Sequence, residues 1–205
     1  APAGDAAAEK DIVELLERVL ARAPKGAEAR ARQRAASLLR QCYTSLGHDA
    51  DLARVIEVEL ESVEVPAERA RRHLEVAELS LKLGVPEKAF EHYEALVRLE
   101  PEVREHREHL ARLADELGRA DRHADVLAEA AERAGSPELR AELRLAAGLV
   151  RADVLRDDGA AIRLFLAVLS EDGAPHEAQL TAARRVEPLL HAAPGAGQGA
   201  ELHGE

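Results

Sequence analysis

The chain has 205 residues and a formal net charge of −11, from 28 basic and 39 acidic side chains, so its average field repels nucleic acid and anionic membranes. Hydrophobic residues make up 46% of the chain but aromatic residues only 2%. Because large rings normally fill the core and line the pocket of an enzyme, this composition disfavours a catalytic site within the chain. No apolar run is long enough to span a bilayer, so membrane insertion is not expected.

Glycine and proline recur along the chain and divide it into ten segments, which we predict to be helices. Each segment has apolar residues three and four positions apart, and none alternates with a period of two, so no strand is predicted. Asp49 before the third helix and Ser136 before the eighth are the predicted N-caps. The predicted helices cover 6–23, 27–46, 50–64, 67–83, 87–99, 102–117, 120–134, 138–156, 160–171 and 175–192.

The helices recur in pairs, with a small residue at the same place in the second helix of each pair. Ala53, Ala89, Ala124 and Ala161 are separated by 36, 35 and 37 residues, and a proline closes each unit nearby. A small residue at this place lets the backbones of neighbouring helices approach closely. The regular spacing therefore predicts stacked helical pairs with a continuous thin core.

The clearest of these units covers residues 67–101, and its second half is the segment 83–101. After the turn residue Gly84 come the small Ala89, the aromatic Tyr93 four residues later and the closing Pro101. This order resembles the second half of a tetratricopeptide repeat (TPR), a family whose period is roughly 34 residues.

The resemblance covers residues 27–192 and implies an all-α fold, an α-α superhelix (solenoid) of four TPR-like helix-turn-helix units with flanking cap helices. Residues 1–26 are then an N-terminal segment with a cap helix, and residues 193–205 a flexible tail or linker. The sequence departs from the family at Glu57, which stands where an apolar residue is expected. Other helical-pair repeats with longer units are an alternative interpretation.

Arginines cluster early in the first helix of each pair. Parallel stacking of these helices would align the clusters as a basic ridge that favours an acidic peptide or another anionic surface. In the alternative interpretation, the arginines pair with carboxylates of neighbouring helices, such as Glu59 and Glu61, or are solvated. The predicted ridge consists of Arg30, Arg34, Arg69, Arg72, Arg104, Arg107, Arg140 and Arg144, with Arg32 and Arg71 beside them.

The resemblance to TPR domains implies a protein–protein interaction scaffold or adaptor that receives a partner peptide or helix on the concave face of the superhelix. The alternative is a regulatory or oligomerisation arm of a larger enzyme whose catalytic part lies outside this chain, a role that would include self-association. The candidate groove residues, all on first helices, are Arg71, Leu74, Glu78, Glu105, His109 and Arg112.

No pattern in the chain indicates catalysis, a cofactor or a metal. There is no nucleophile elbow, phosphate-binding loop or Cys-x-x-Cys pair, so no enzymatic activity and no cofactor is expected. His106 and His109 stand three apart on one helix, but two ligands do not make a metal site, and we interpret them as part of a solvated helix face. Cys42 is alone, and its place on an apolar helical face predicts core packing.

The cellular compartment follows only by default. A single cysteine excludes an intrachain disulfide, and the reducing cytoplasm is the default expectation, with the periplasm or a place in a larger protein as alternatives. The lack of Met and Asn beside abundant Ala and Arg is typical of a GC-rich bacterial genome.

Overall fold

The computed structural model describes residues 3–22 and 29–192, and all regular structure in these two ranges is helical, as predicted. None of the helices in these ranges is both long and apolar enough to cross a bilayer. Residues 24–26, between the first two predicted helices, and the predicted tail 193–205 lie outside the described residues. The α-helices are α1 (Ala3–Arg22), α2 (Ala29–Leu46), α3 (Asp49–Leu60), α4 (Pro66–Lys82), α5 (Pro86–Leu99), α6 (Arg104–Leu117), α7 (Ala120–Ala131), α8 (Pro137–Leu149), α9 (Asp158–Leu169) and α10 (His176–Ala192).

Several helix boundaries differ from the prediction, among them the end of the seventh helix at Ala131 rather than 134, and at two boundaries a local turn competes with the helix. The third helix ends at Leu60 rather than 64, and beyond it Ser62 donates from Oγ to the carbonyl of Glu59 at 3.0 Å. The sixth helix begins at Arg104 rather than 102, because the N–H of Val103 turns back to the carbonyl of Glu100 at 3.1 Å.

One predicted helix changes character along its length. The segment predicted as one helix over 138–156 is α-helical to Leu149 and then forms a π-helical turn, Val150–Val154. A π-helical turn holds an extra residue relative to an α-helical turn, and periodicity in a single sequence does not distinguish the two.

The caps follow the sequence at one of the two predicted places. Ser136 accepts the N–H of Leu139 at 3.2 Å on its Oγ, which confirms it as the N-cap of α8. Asp49 is instead the first residue of α3, and His48 occupies the N-cap position without a capping hydrogen bond from its side chain. In the first turn, the carboxylate of Asp49 still stabilises the helix, because its negative charge lies near the positive end of the helix dipole.

The chain packs as two compact units, Ala1–Leu96 and Val97–Glu205, and the boundary between them falls inside α5. In the first unit α1 packs on α2, α2 on α3 and α3 on α4, around a core that includes Leu39, Tyr43 and Ile56. In the second unit the helices from α6 to α10 likewise pack on their neighbours in sequence, and Phe165 and Val168 lie in its core.

The four marker alanines of the repeat pattern are all buried. Ala53, Ala89, Ala124 and Ala161 have between 0 and 2% of their surface exposed, and they lie in α3, α5, α7 and α9, respectively. The small residues thus stand where the sequence pattern requires close helix contact.

Glycine plays the same role on α8. A Cβ added at Gly148 would lie 2.6 Å from Cε1 of Phe165, so only glycine leaves room for the ring of α9 against the backbone of α8.

Candidate partner-binding surfaces

The first helices of four successive pairs share an arginine at their fourth position. Its guanidinium donates from Nη1 to a backbone carbonyl that precedes the helix, which satisfies an acceptor at or near the end of the preceding helix. In the second unit, Nη1 of Arg140 lies 3.1 Å from the carbonyl oxygen of Ala134. The four donor and acceptor pairs are Arg32 with Leu20, Arg69 with Val63, Arg107 with Pro101, and Arg140 with Ala134.

Two of the predicted ridge arginines converge on one carboxylate in the second unit. Arg140 and Arg144 donate to Glu171 at 2.9 and 2.5 Å, and the bond from Arg140 is the main cause that lowers the pKa of Glu171. Arg144 also reaches Glu132 at 3.0 Å. Both guanidinium groups are therefore engaged with carboxylates of the same unit.

The other ridge arginines fall into two groups. Arg72 and Arg107 are each 12% exposed and bind Glu59 and Glu142 at 3.0 and 3.1 Å, respectively, so they follow the alternative interpretation of pairing with neighbouring helices. The remaining ridge positions, Arg30, Arg34, Arg69 and Arg104, are exposed.

The first helices of the first unit are joined by an ion-pair network. Glu59 of α3 is 11% exposed and accepts from both Arg40 of α2 and Arg72 of α4. Arg40 also reaches Glu75 of α4 at 2.6 Å. Because these charges neutralise one another, the surface between α2 and α4 is not an open cationic ridge.

The second unit contains a groove between α6 and α8, with α7 as its floor, and we refer to it as the α6–α8 groove. Its volume is about 520 Å³. Charged side chains stand at its rim, where Arg104 binds Glu108 at 2.7 Å and Arg107 binds Glu142 at 3.1 Å. Between them lie small and aliphatic side chains and one histidine: Ala111, His123, Leu127, Leu143 and Ala146.

His123 gives the floor of this groove a group that titrates. Burial lowers the pKa of His123 below its ordinary value of 6.5, and the charge of Asp115 opposes that shift. The imidazole is therefore neutral at pH 7 and is available as a hydrogen-bond donor or acceptor to a bound chain.

The predicted groove residues lie in two sets, one in each unit. On α4 of the first unit, Arg71 and Glu78 are exposed and Leu74 is half-buried. On α6 of the second unit, Glu105, His109 and Arg112 lie on one helix face, next to residues that line the α6–α8 groove. None of these six side chains lines that groove itself.

The interpretation of His106 and His109 as a solvated helix face is wrong for His106. Its surface is 7% exposed, and its Nε2 lies 3.3 Å from a carboxylate oxygen of Glu100. His109 is half-buried and accepts from Arg112 on Nδ1 at 2.7 Å. Within 3–22 and 29–192, no three histidine, cysteine, aspartate or glutamate side chains form a group that could hold a metal ion.

Cys42 is half-buried rather than fully packed in the core. It lines a crevice of about 180 Å³ between α1 and α2, together with Val13, Gln41, Ser45 and Leu46. The apolar face of α2 that predicted core packing for Cys42 is therefore partly open to solvent at this residue.

A cluster of polar side chains in the first unit has no counterpart in the sequence prediction. His73 of α4 and His92 of α5 face each other with their Nδ1 atoms 2.9 Å apart. Nε2 of His92 lies 3.3 Å from Glu57, whose other carboxylate oxygen accepts from Lys88 at 2.7 Å. The one signal in the sequence was Glu57 itself, a charged residue at a position where the repeat expects an apolar one.

No family model matches the chain, and no curated protein matches it. Among solved structures, the protein is similar to the crystal structure of BtubC (BKLC) from P. vanneervenii, with 17% sequence identity over 97% of this chain and 96% of that chain. The TM-score of that match is 0.32, which is too low to establish a shared fold. The similarity therefore assigns neither a fold family nor a function.

Proposed function

We propose that this protein is an interaction module that binds another protein or a peptide, and that the α6–α8 groove is its binding surface. The observation that carries the proposal is the groove itself, an open channel of about 520 Å³ with an aliphatic floor and a charged rim. Binding rather than catalysis is the role that such a surface supports best.

The floor of the groove supplies affinity for an apolar side chain. Leu127 and Leu143 are largely buried beneath it, and the half-buried methyl groups of Ala111 and Ala146 leave room above. A partner side chain such as Leu or Phe that fills this room would gain roughly 1.5–3 kcal/mol from burial. Small side chains at these two positions are what keep the channel open.

The charged rim of the groove orients the bound partner. The Arg104–Glu108 pair is exposed to solvent, and exposed ion pairs contribute little to stability, so an incoming carboxylate or amine can replace either partner at small cost. This arrangement accepts an acidic peptide through Arg104, in agreement with the predicted acidic partner.

A TPR-like solenoid is the architecture that we propose for the repeats. Its support is the burial of the four marker alanines and the shared arginine at the fourth position of α2, α4, α6 and α8. In such an array the surface between successive first helices is the one that receives a ligand.

The test is to fill the groove without changing the fold. Ala146→Arg places a long side chain over the floor, and arginine is a good helix former, so the helix itself is preserved. Proteins captured from a source lysate by the unaltered chain are identified, and the affinity of the purified partner is then measured by calorimetry. Ala146→Arg is expected to weaken binding at least tenfold, whereas Ala50→Arg, at an exposed position of α3, is the matched control.

Equal affinity of the two variants would contradict the assignment of the groove. Absence of any protein retained specifically by the unaltered chain would contradict the interaction role as a whole.

A second candidate function, an oligomerisation arm of a larger protein, is favoured by exposed aliphatic side chains on the first unit. Ile12 and Leu15 of α1 are 51% and 56% exposed, and Leu46 of α2 is 47% exposed. Such side chains gain from burial against another chain. Sedimentation equilibrium distinguishes the two functions, since a self-associating arm shows a dimer that Leu15→Glu removes.

A further inference from the structure

The geometry of the contact between His73 and His92 limits the number of protons that the two rings can hold. The Nδ1 atoms are 2.9 Å apart and the ring centroids 5.1 Å apart, so the two nitrogens share a single hydrogen. A neutral imidazole carries one N–H and one bare nitrogen, whereas an imidazolium carries N–H on both. One ring must therefore present a bare Nδ1 to the other.

Glu57 determines which tautomer is favoured at neutral pH. Its carboxylate lies 3.3 Å from Nε2 of His92, so the proton of neutral His92 belongs on Nε2 and its bare Nδ1 faces His73. His73 then donates from Nδ1. Lys88 binds the second oxygen of Glu57 at 2.7 Å and keeps the carboxylate in place.

Adding one proton leaves this contact intact. The proton enters at Nε2 of His73, and one hydrogen remains between the rings whether it stays on Nδ1 of His73 or moves to Nδ1 of His92.

Adding a second proton is incompatible with the contact. Both Nδ1 atoms would then carry hydrogen at a separation of 2.9 Å, and two positive rings would face each other in a partly buried site. Arg69 of α4 acts on His73, and Glu57 of α3, which faces His92, already binds Lys88 of α5. Burial, together with the charges of His92 and Arg69, lowers the pKa of His73 to about 4.

We propose that His73 and His92 form a proton-sensitive latch between α4 and α5, closed while the pair holds at most one added proton and opened when the second proton binds. The latch lies wholly in the first unit, and it depends neither on the α6–α8 groove nor on the binding role proposed for it. Acidification would loosen α4 from α5 while the second unit keeps its own core.

The latch is tested by NMR titration of the histidine Cε1–H signals in the unaltered chain from pH 7.5 to 4. One ring of the pair is expected to titrate at least one pH unit below the ordinary value of 6.5, and amide signals of α4 and α5 should shift in the same step. Titration of both rings near pH 6.5 with unchanged α4 and α5 signals would overturn the proposal.

Variants give an independent readout. His73→Gln retains a hydrogen-bond donor for Nδ1 of His92 but takes up no proton. Between pH 6.5 and 4.5 the folding equilibrium constant of the unaltered chain is expected to fall up to tenfold more per pH unit than that of His73→Gln. The control His176→Gln, which removes an exposed histidine of α10, should behave as the unaltered chain. Equal pH dependence in all three chains would exclude the latch.

Discussion

Arginine at the fourth position of the first helices performs two tasks that lysine cannot perform together. In the second unit Arg140 donates from Nη1 to the carbonyl of Ala134, and from Nε and Nη2 to Glu171 at 3.0 and 2.9 Å. The planar fork of the guanidinium fixes both directions at once, whereas an ammonium group is a single point of charge. The residue thus links the end of one helical pair to the loop that follows the next.

Arg140→Lys is therefore expected to destabilise the protein by about 1–2 kcal/mol, because a carbonyl or a carboxylate loses its charged donor. Urea unfolding followed by circular dichroism measures the change. Arg163→Lys is the control, since Arg163 is exposed and makes no hydrogen bond to the described residues. Equal stability of Arg140→Lys and the unaltered chain would show that the double contact contributes nothing in solution.

At the same scale, the sequence predicted where the arginines lie and offered pairing with carboxylates as an alternative, but it did not predict which carboxylate each arginine binds. The ridge arginines were recognisable because they recur at helix starts, yet their partners lie up to 35 residues away, as Glu142 does from Arg107. His73 and His92 stand 19 residues apart and share no motif, so only the packing of α4 against α5 brings them together. Local patterns therefore predict helices, whereas the pairing of side chains across helices depends on how those helices pack.

At the scale of the helix, close packing depends on the smallest residues. Gly148 lies in the last turn of α8, where the ring of Phe165 occupies the space that a Cβ would need. Glycine weakens an isolated helix by roughly 1 kcal/mol relative to alanine, so its presence here indicates a steric requirement.

Gly148→Ala is expected to destabilise the protein by roughly 1–3 kcal/mol despite the better helix propensity, since Phe165 must move to accept the methyl group. Thermal and urea unfolding measure the effect. In the first turn of α9, Gly159→Ala meets no atom closer than 3.8 Å and is the matched control, expected to be neutral or slightly stabilising. A stabilised Gly148→Ala variant would show that the Phe165 ring accommodates the added methyl group without strain.

Helix positions were predictable from the sequence because glycine and proline act locally, and all ten predicted segments correspond to helices. Their ends were less predictable. Whether a helix stops at Leu60 or continues depends on turn hydrogen bonds such as that of Ser62, which compete with the helix by small energies.

At the scale of the whole molecule, all the histidines and carboxylates of the described residues that have shifted pKa values shift in the same direction. Burial lowers the pKa of His73 and His123, and hydrogen bonds from Arg140 and from Arg71 lower the pKa of Glu171 and Glu68, respectively. In each case the unfolded chain binds protons more readily than the folded one. Stability should therefore decrease as the pH falls.

The free energy of unfolding is expected to be constant between pH 7 and 8. It should decline from about pH 6.5 as the histidines of the unfolded chain take up protons. Below pH 4.5 it should decline more steeply, because the carboxylates of the unfolded chain take up protons as well. Each proton taken up contributes at most about 1.4 kcal/mol per pH unit. Urea titrations at a series of pH values measure this curve. A stability maximum below pH 5 would contradict the direction of these shifts.

The two units could not be predicted from the repeat pattern, since the marker alanines run at an even spacing across the boundary inside α5. The spacing of the marker alanines reflects the helical pair, which is a local unit of structure. The boundary between compact units depends on long-range packing, which a single sequence does not encode in its spacing.

The π-helical turn Val150–Val154 explains how the repeat tolerates a variable length. It lies between the markers Ala124 and Ala161, the pair with the longest spacing, 37 residues. The additional residue is accommodated in the wider π-helical turn within the helix, so the loops keep their length. A chain one residue shorter at this point could therefore run as an uninterrupted α-helix and keep the same side chains in register with the core.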